Sequence, residues 1–333
     1  MKTPIYLDNN ATTPVDPRVL EAMLPYLREC FGNPSSRSHA FGWEAERAVK
    51  TARQRVATAI GAHEREIIFT AGATESNNIA LQGVARANRN RGRHIISTVV
   101  EHKAILDTLK HLEQDGFDIT LLPVDRHGRV TAEQVAAALR PETILLSVIW
   151  ANNEIGTLNP IRELGALARD RGVIFHSDAA QALGKVPIDV DDCHVDLLSS
   201  SGHKLYAPKG VGMLYCRRSK PRPTLEPIFF GGGQELGLRP GTSNVPGIVG
   251  LGVACELASQ ELYEESRRLT ALRDRLWQRL QNELGDVVLN GHPTERLAGN
   301  LNVSIAYVEG EALMMDVPEI AVSSGSACNS AQL

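Results

Sequence analysis

Residues able to do chemistry are concentrated just after short apolar runs. Thr74, Glu75 and Ser76 follow the run 66–70 through the small residues Ala71-Gly72-Ala73. Glu101-His102-Lys103 follows 94–98, and Asn152-Asn153-Glu154 follows 143–150. Asp178 and Gln181 come after 173–177, and Ser201-Gly202-His203-Lys204 after 197–200. If the runs are parallel strands, these positions lie beyond the strands' carboxyl ends, where open sheets bind their ligands. The turn before Thr74 opens a helix, whose free N–H groups and dipole suit a phosphate. Thr74 or Ser76 also reads as an ordinary N-cap, Asp178 as the cap of the next helix, and His102 as a structural histidine. A lysine reached through Ser and Gly after a buried strand can be held away from bulk water, where its pKa falls and its amine becomes nucleophilic.

Combined, the positions are more specific than any one alone. An aldehyde cofactor with a phosphate and a pyridine nitrogen needs a phosphate cradle, a lysine to join, a carboxylate for the ring nitrogen and a stacking partner. Thr74, Lys204, Asp178 and His102 offer those roles, each after a different strand. Asp178 and Lys204 are 26 residues apart, room for one crossover. A charged pyridine ring accepts electron density from a carbanion at a substrate α-carbon, so the chemistry implied is that of amino acids. G-x-x-x-x-G-K-[ST], H-E-x-x-H, G-x-S-x-G and a well-formed G-x-G-x-x-G after a strand are all absent.

The elements that must position these residues alternate between helical and strand periods from about 43 to 215, the pattern of βαβ units and a mainly parallel sheet. Ala45, Ala48, Val49, Ala52, Val56, Ala59 and Ile60 mark an amphipathic helix closed by Gly61. Strands are expected at 66–70, 94–98, 119–124, 143–150, 173–177, 197–200 and 211–216, with helices at about 75–90, 103–114, 131–139 and 161–171. A Gly-rich loop from Gly231 to Gly241, a long helix over about 246–284 and a strand at 301–305 follow. The architecture expected is α/β: a large domain over 16–258 and a small α+β domain made of 1–15 and 259–333.

Composition sets the outer bounds. The 333 residues, 43% hydrophobic and 22% charged, suit a globular chain of about two domains at roughly 150 residues each. With 35 basic against 39 acidic side chains and no run of 18 apolar residues, neither nucleic acid nor a membrane is the expected partner. Met1-Lys2-Thr3-Pro4 leads into a strand-like segment without a signal-peptide core, so a cytoplasmic location is expected. The cysteines at 30, 193, 216, 255 and 328 are odd in number and form no C-x-x-C pair, which argues against a disulfide framework or a zinc ribbon. The ten histidines show no ligand spacing, and no metal site is expected. Four of the cysteines read as small buried hydrophobes. Cys328 differs, since it sits among Ser323, Ser324, Gly325, Ser326 and Ala327, neighbours that suit a group obliged to travel.

These residues also carry a resemblance. Tyr6-Leu7-Asp8-Asn9-Asn10-Ala11-Thr12-Thr13-Pro14, Gly32-Asn33-Pro34-Ser35-Ser36, Gly72-Ala73-Thr74-Glu75-Ser76-Asn77, Glu101-His102-Lys103, Asn152-Asn153-Glu154-Ile155-Gly156, Ser201-Gly202-His203-Lys204 and Ser323-Ser324-Gly325-Ser326-Ala327-Cys328 span nearly the whole chain. Together they resemble the cysteine desulfurases that supply sulfur for iron–sulfur cluster assembly. The resemblance implies a homodimer of the aspartate-aminotransferase fold (pyridoxal-phosphate fold type I, with a seven-stranded sheet) that converts L-cysteine to L-alanine and leaves the sulfur as a persulfide on Cys328. It implies pyridoxal 5'-phosphate joined to Lys204, with Asp178 on the ring nitrogen and His102 stacked on the ring as acid or base. Gln181 and Asn153 would meet the cofactor's phenolic oxygen or the substrate. Ala73, Thr74, Ser201 and His203 would hold the phosphate, with Thr242 reaching in from the neighbouring subunit. The sulfur acceptor implied is a cluster scaffold or a tRNA-thiolation relay. Family members continue with helical structure and an arginine for the substrate carboxylate, which has no counterpart in these residues. The expectation is a further C-terminal part, or recognition of the carboxylate by Asn153, Arg37 or Asn10. Other outcomes the sequence leaves open are a selenocysteine lyase or another pyridoxal-phosphate enzyme, and a scaffold that has lost turnover.

Overall fold

The computed structural model describes residues 4–220 and 222–324. The chain runs β1 (Ile5–Tyr6), α1 (Pro17–Arg28), α2 (Ala40–Thr58), β2 (Ile67–Thr70), α3 (Ala73–Asn88), β3 (His94–Thr98), α4 (Lys103–Gln114), β4 (Asp118–Leu122) and α5 (Ala132–Ala138). It continues through β5 (Thr143–Ser147), α6 (Ile161–Asp170), β6 (Ile174–Asp178), β7 (Leu197–Ser201) and β8 (Gly212–Cys216). The last part holds α7 (Val245–Leu284), β9 (Val287–Leu289), β10 (Val303–Ile305), α8 (Gly310–Asp316) and β11 (Ile320–Ala321).

Seven strands form one sheet in the order β2-β8-β7-β6-β5-β3-β4. Every neighbouring pair is parallel except those made by β8, which runs antiparallel to β2 and β7. The side chains alternate across it. Ile67, Phe69, Ile96, Phe175, Leu198, Met213 and Tyr215 join the core shared with α1, α2, α6 and the start of α7. Ile68, Ile95, Ile174, Leu197 and Leu214 join the opposite core, under α3 and α4. Because both faces are covered, the strands are apolar without interruption, which is why they stand out in the sequence.

The strand and helix expectations hold to within a few residues, and the ladder of β5 ends at Ser147 although the chain stays bonded to β6 as far as Trp150. Two helices were not expected. In α1, Asp16 caps the start by accepting from the Arg18 N–H, and Pro17 occupies the first helical position. Asp-Pro thus opens a helix where it reads as a turn. The short α8 has no side-chain cap. At the N-terminus β1 pairs in parallel with β11, Ile5 opposite Ile320 and Tyr6 opposite Ala321. The 40-residue α7 runs from a buried start through residue 258 to an exposed end, without a break at that position.

Candidate active site

The carboxyl ends of β2, β3, β5, β6 and β7 open onto one cleft of about 1780 Å³, closed on its other side by residues 299–305 and 322–324. Lys204 lies one turn past β7 and lines it. Its Nζ donates to the carbonyls of Asn10 (2.5 Å) and Ala11 (2.7 Å), so the N-terminal segment, crossing the sheet ends, holds the amine. That segment is fixed in turn: Thr13 donates its hydroxyl to the His203 carbonyl and accepts from the Tyr206 N–H.

Asp178 ends β6 and is 3% exposed. Its Oδ2 accepts from Asn77 Nδ2 at 2.7 Å and its Oδ1 from the Ala180 N–H at 2.9 Å. The turn-capping role and a place in the cleft are therefore both real. Behind it, His176 is buried between the hydroxyls of Ser147 and Ser199, each 2.9 Å away. Burial pushes that imidazole down to about 3, so it stays neutral.

His102 is the N-cap of α4, its Nδ1 accepting from the Ala104 N–H at 3.1 Å. In the neutral ring that bond leaves the proton on Nε2. Next to it, Glu101 ties the ends of two strands together, Oε1 accepting from the Thr98 hydroxyl and the Ile149 N–H. Burial first pushes the Glu101 carboxyl up to about 8; the two hydrogen bonds oppose this and the Asp178 charge adds to it.

The start of α3 is built for an anion. Gly72 occupies the N-cap position and supplies no side-chain cap, so the first N–H groups of a 16-residue helix face the cleft uncapped. A side chain on Gly212 of β8 would put its Cβ 2.6 Å from the Gly72 Cα and 2.5 Å from the Ser200 carbonyl oxygen. Only glycine lets the turn lie this close to β8, which brings Ala73 and Thr74 into the same cleft as Ser201 and His203. His203 Nδ1 lies 3.1 Å from the Thr12 hydroxyl. Burial, then the charges of Lys204, Lys209 and Lys185, push its imidazole down to about 4.

Of the residues the sequence singles out, Asn10, Ala73, Thr74, His102, Asn153, Asp178, Gln181, Ser201, His203 and Lys204 all line this cleft. Arg37 does not: it lies exposed in the segment before α2, where its carbonyl accepts from the Trp43 indole. Thr242 is exposed on the loop before α7. Cys328 lies outside the described residues. Cys193, Cys216 and Cys255 are buried as expected, whereas Cys30 is only half-buried and bonds Glu44 Oε1 at 3.2 Å. Asn77 and Glu101 stand in segments the sequence singles out but carried no assigned role there, and Lys185 was not foreseen. Lys185 follows the turn after β6 and donates its Nζ to Gln181 Oε1 at 2.7 Å.

A pyridoxal phosphate group fits this donor set. The uncapped helix start with the Thr74 and Ser201 hydroxyls suits its phosphate, the buried Asp178 carboxylate its ring nitrogen, and the Lys204 amine its aldehyde. A parallel sheet with one antiparallel strand, carrying that lysine just past β7, defines an enzyme of pyridoxal-phosphate fold type I.

The family model for aminotransferase class V matches residues 5–333. The chain is 57% identical over 333 residues to cysteine desulfurase IscS of Anaeromyxobacter dehalogenans, covering all of this chain and 82% of that protein. Its identity to mouse cysteine desulfurase is 54% over 330 residues, 99% of this chain and 72% of the mouse protein. Among solved structures, a NifS-like protein superposes with a TM-score of 0.90 at 41% identity, over 94% of this chain and 85% of that one. SspA in complex with cysteine gives 0.87 at 40% identity, over 98% and 90%. The chain belongs to the class-V aminotransferases and, within them, to the cysteine desulfurases.

Proposed function

We propose that this chain removes sulfur from L-cysteine, releasing L-alanine and holding the sulfur as a persulfide on Cys328 for delivery to an acceptor of iron–sulfur cluster assembly or to a tRNA-thiolation relay. The observation that carries the reading is the placement of the Lys204 amine and the buried Asp178 carboxylate in one cleft, beside the uncapped start of α3. The cysteine bound in one similar structure supports the choice of substrate.

Pyridoxal phosphate, when bound, supplies an electron sink for the pair left behind when the substrate α-proton departs. The residues supply the rest. Lys204 Nζ would hold the cofactor's aldehyde carbon and, as a free amine, would take the substrate α-proton. The Asn10 and Ala11 carbonyls receive that nitrogen when it is charged. Asp178, held by Asn77 and the Ala180 N–H, would face the ring nitrogen. The Nε2–H of His102 is left as a donor in the cleft, because Nδ1 is committed to α4. The thiolate of Cys328 attacks the substrate sulfur, so that an S–S bond forms as the C–S bond breaks. Asn153 and Asn10 line the cleft and Arg37 does not, so we assign the substrate carboxylate to the two asparagine side chains ahead of Arg37.

We further propose a homodimer, in which Thr242 of one chain completes the phosphate site of the other. Phe31 (70% exposed) stacks near Phe41 at 5.5 Å, and Phe230 is 86% exposed; aromatic surface of this kind suits burial against a second copy. The domain division proposed is 16–258 against 1–15 with 259–333, supported by the pairing of β1 with β11. Free thiols at Cys30, Cys193, Cys216 and Cys255 suit a reducing compartment, and we place the enzyme in the cytoplasm. Among the described residues no helix is long and apolar enough to cross a membrane.

The test is direct. Lys204→Ala should abolish both the visible absorbance band of the purified protein and alanine release from cysteine. Cys328→Ser should keep the band and lose the persulfide. Retention of band and alanine release in Lys204→Ala would end the proposal.

A further inference from the structure

A second lysine stands behind the first. Lys185 Nζ donates to Gln181 Oε1 at 2.7 Å, and the other end of the same amide, Nε2, donates to the Asn10 carbonyl at 2.8 Å. That carbonyl is also the acceptor for Lys204 Nζ at 2.5 Å. Lys185, Gln181, the Asn10 carbonyl and Lys204 therefore form one hydrogen-bonded chain across the cleft. An amide has two chemically different ends, and a lone contact fixes its orientation weakly. Here the protonated amine, which can only donate, selects the oxygen end, while a carbonyl, which can only accept, selects the nitrogen end. The amide is pinned from both sides, with its N–H₂ toward the amine at position 204.

We infer that Lys185 is a positioning residue: it holds the Gln181 amide so that its N–H₂ shares the Asn10 carbonyl with Lys204, and through that contact sets the protonation of the Lys204 nitrogen. The inference rests on the reading of Lys204 as the cofactor-bearing residue. The surroundings are consistent with it. Burial, followed by the Lys204 charge, lowers the Lys185 amine to about 7, so below that pH the protonated donor holds the amide in this orientation. The other charged or titratable group that feels it is His203, held neutral by burial and by the three nearby lysines. Among the described residues no carboxylate is bonded to Lys185, whose amine donates to the amide of Gln181. Loss of the Lys185 donor lets the amide turn over or swing, and the N–H that competes for the Asn10 carbonyl is lost. The Asn10 oxygen is then wholly available to Lys204, whose protonated form gains.

The experiment is a double-mutant cycle read in resting holoenzyme without substrate, by titrating with pH the visible band that reports the Lys204 nitrogen. Lys185→Met should raise the midpoint by about one pH unit, and Lys185→Arg, which keeps a donor, should restore it. In a Gln181→Ala background Lys185→Met should move the midpoint by less than a third as much, because the mediator is gone. An equal shift in both backgrounds would mean that Lys185 acts by charge alone and would overturn the inference, as would no shift in either. Failure of the cofactor reading itself looks different: the wild type would show no titrating band, or Lys204→Ala would keep it. Near-ultraviolet circular dichroism of Lys185→Arg and Lys185→Met establishes that both are folded.

Discussion

Asn77 and Asp178, 101 residues apart in the chain, meet in a 2.7 Å hydrogen bond beneath the cleft. Asn77 is fully buried and its Oδ1 has no hydrogen-bond partner among the described residues, so the side chain is held for what its N–H₂ gives to the carboxylate. A hydrogen bond to a charged group contributes about 1.5–3 kcal/mol. Asn77→Ala is therefore expected to weaken retention of pyridoxal phosphate about tenfold or more, measured by absorbance titration of the apoprotein. An unchanged dissociation constant would show that Asp178 needs no help from α3.

Glu101 predicts a pH dependence of stability. Its carboxyl is raised to about 8 in the folded chain against roughly 4.3 when unfolded. Between those values the folded state keeps a proton that the unfolded state has released, so the contribution to stability falls as pH rises through the window. Glu101→Gln keeps an oxygen for the Thr98 hydroxyl and the Ile149 N–H but cannot ionise. The variant should gain on the wild type steadily from pH 5 to pH 8, by on the order of a few kcal/mol at the upper end. Denaturant unfolding at three pH values checks this, and parallel profiles would contradict it.

Glu235 anchors the loop that carries Thr242. Both its oxygens bind the Arg53 guanidinium, one of them also accepts from the Phe69 N–H, and its side chain is 7% exposed. The anchor holds Glu235 and Leu236 at φ 45° and 61°, a left-handed conformation that disfavours both residues. Glu235→Ala leaves a largely buried guanidinium and a backbone donor unpaired, with an expected loss of about 3 kcal/mol in thermal unfolding. By contrast, breaking Arg18–Glu261, where both side chains are 53% exposed and water screens the pair, should leave the unfolding temperature nearly unchanged.

The glycines of the β7–β8 connection separate two effects. Gly212→Ala drives a Cβ into backbone at Gly72 and Ser200, with an expected cost of about 1–3 kcal/mol and a weaker grip on cofactor. Gly210→Ala has nothing within 4 Å of its new Cβ and meets only the strain of φ +79°, about 1–2 kcal/mol, with cofactor affinity intact. Equal losses of affinity in both would contradict the packing argument.

Most of the sheet and its helices were legible because parallel strands covered on both faces are apolar throughout, and a polar residue after such a run marks a strand end. The cleft residues after β2, β3, β5, β6 and β7 follow from that alone. What stayed hidden depends on long-range placement. The partnership of Asn77 with Asp178 requires α3 to lie across β6, and that of Lys185 with Gln181 requires the turn after β6 to fold back. Asn10 shows a different limit: the sequence points to its side chain for the substrate, whereas its carbonyl receives both Gln181 and Lys204. A backbone oxygen leaves no trace in residue identity. Arg37 carries the right charge in the wrong place, exposed before α2.

The root of α7 is wedged into the body of the protein, where Gly252 leaves so little room that a Cβ would lie 2.7 Å from the Ala52 Cα. Some 21 residues further along, Arg273 grips the Leu297 and Ala298 carbonyls that lead into the cleft's outer wall. The helix is thus a rigid lever about 30 Å long at 1.5 Å per residue. A tilt of roughly five degrees at its fulcrum swings the far end by about 2.5 Å, by the same geometry. The close seat of Gly252 against α2, on the far side of the molecule, is thus joined through one continuous helix to the segment that walls the cleft.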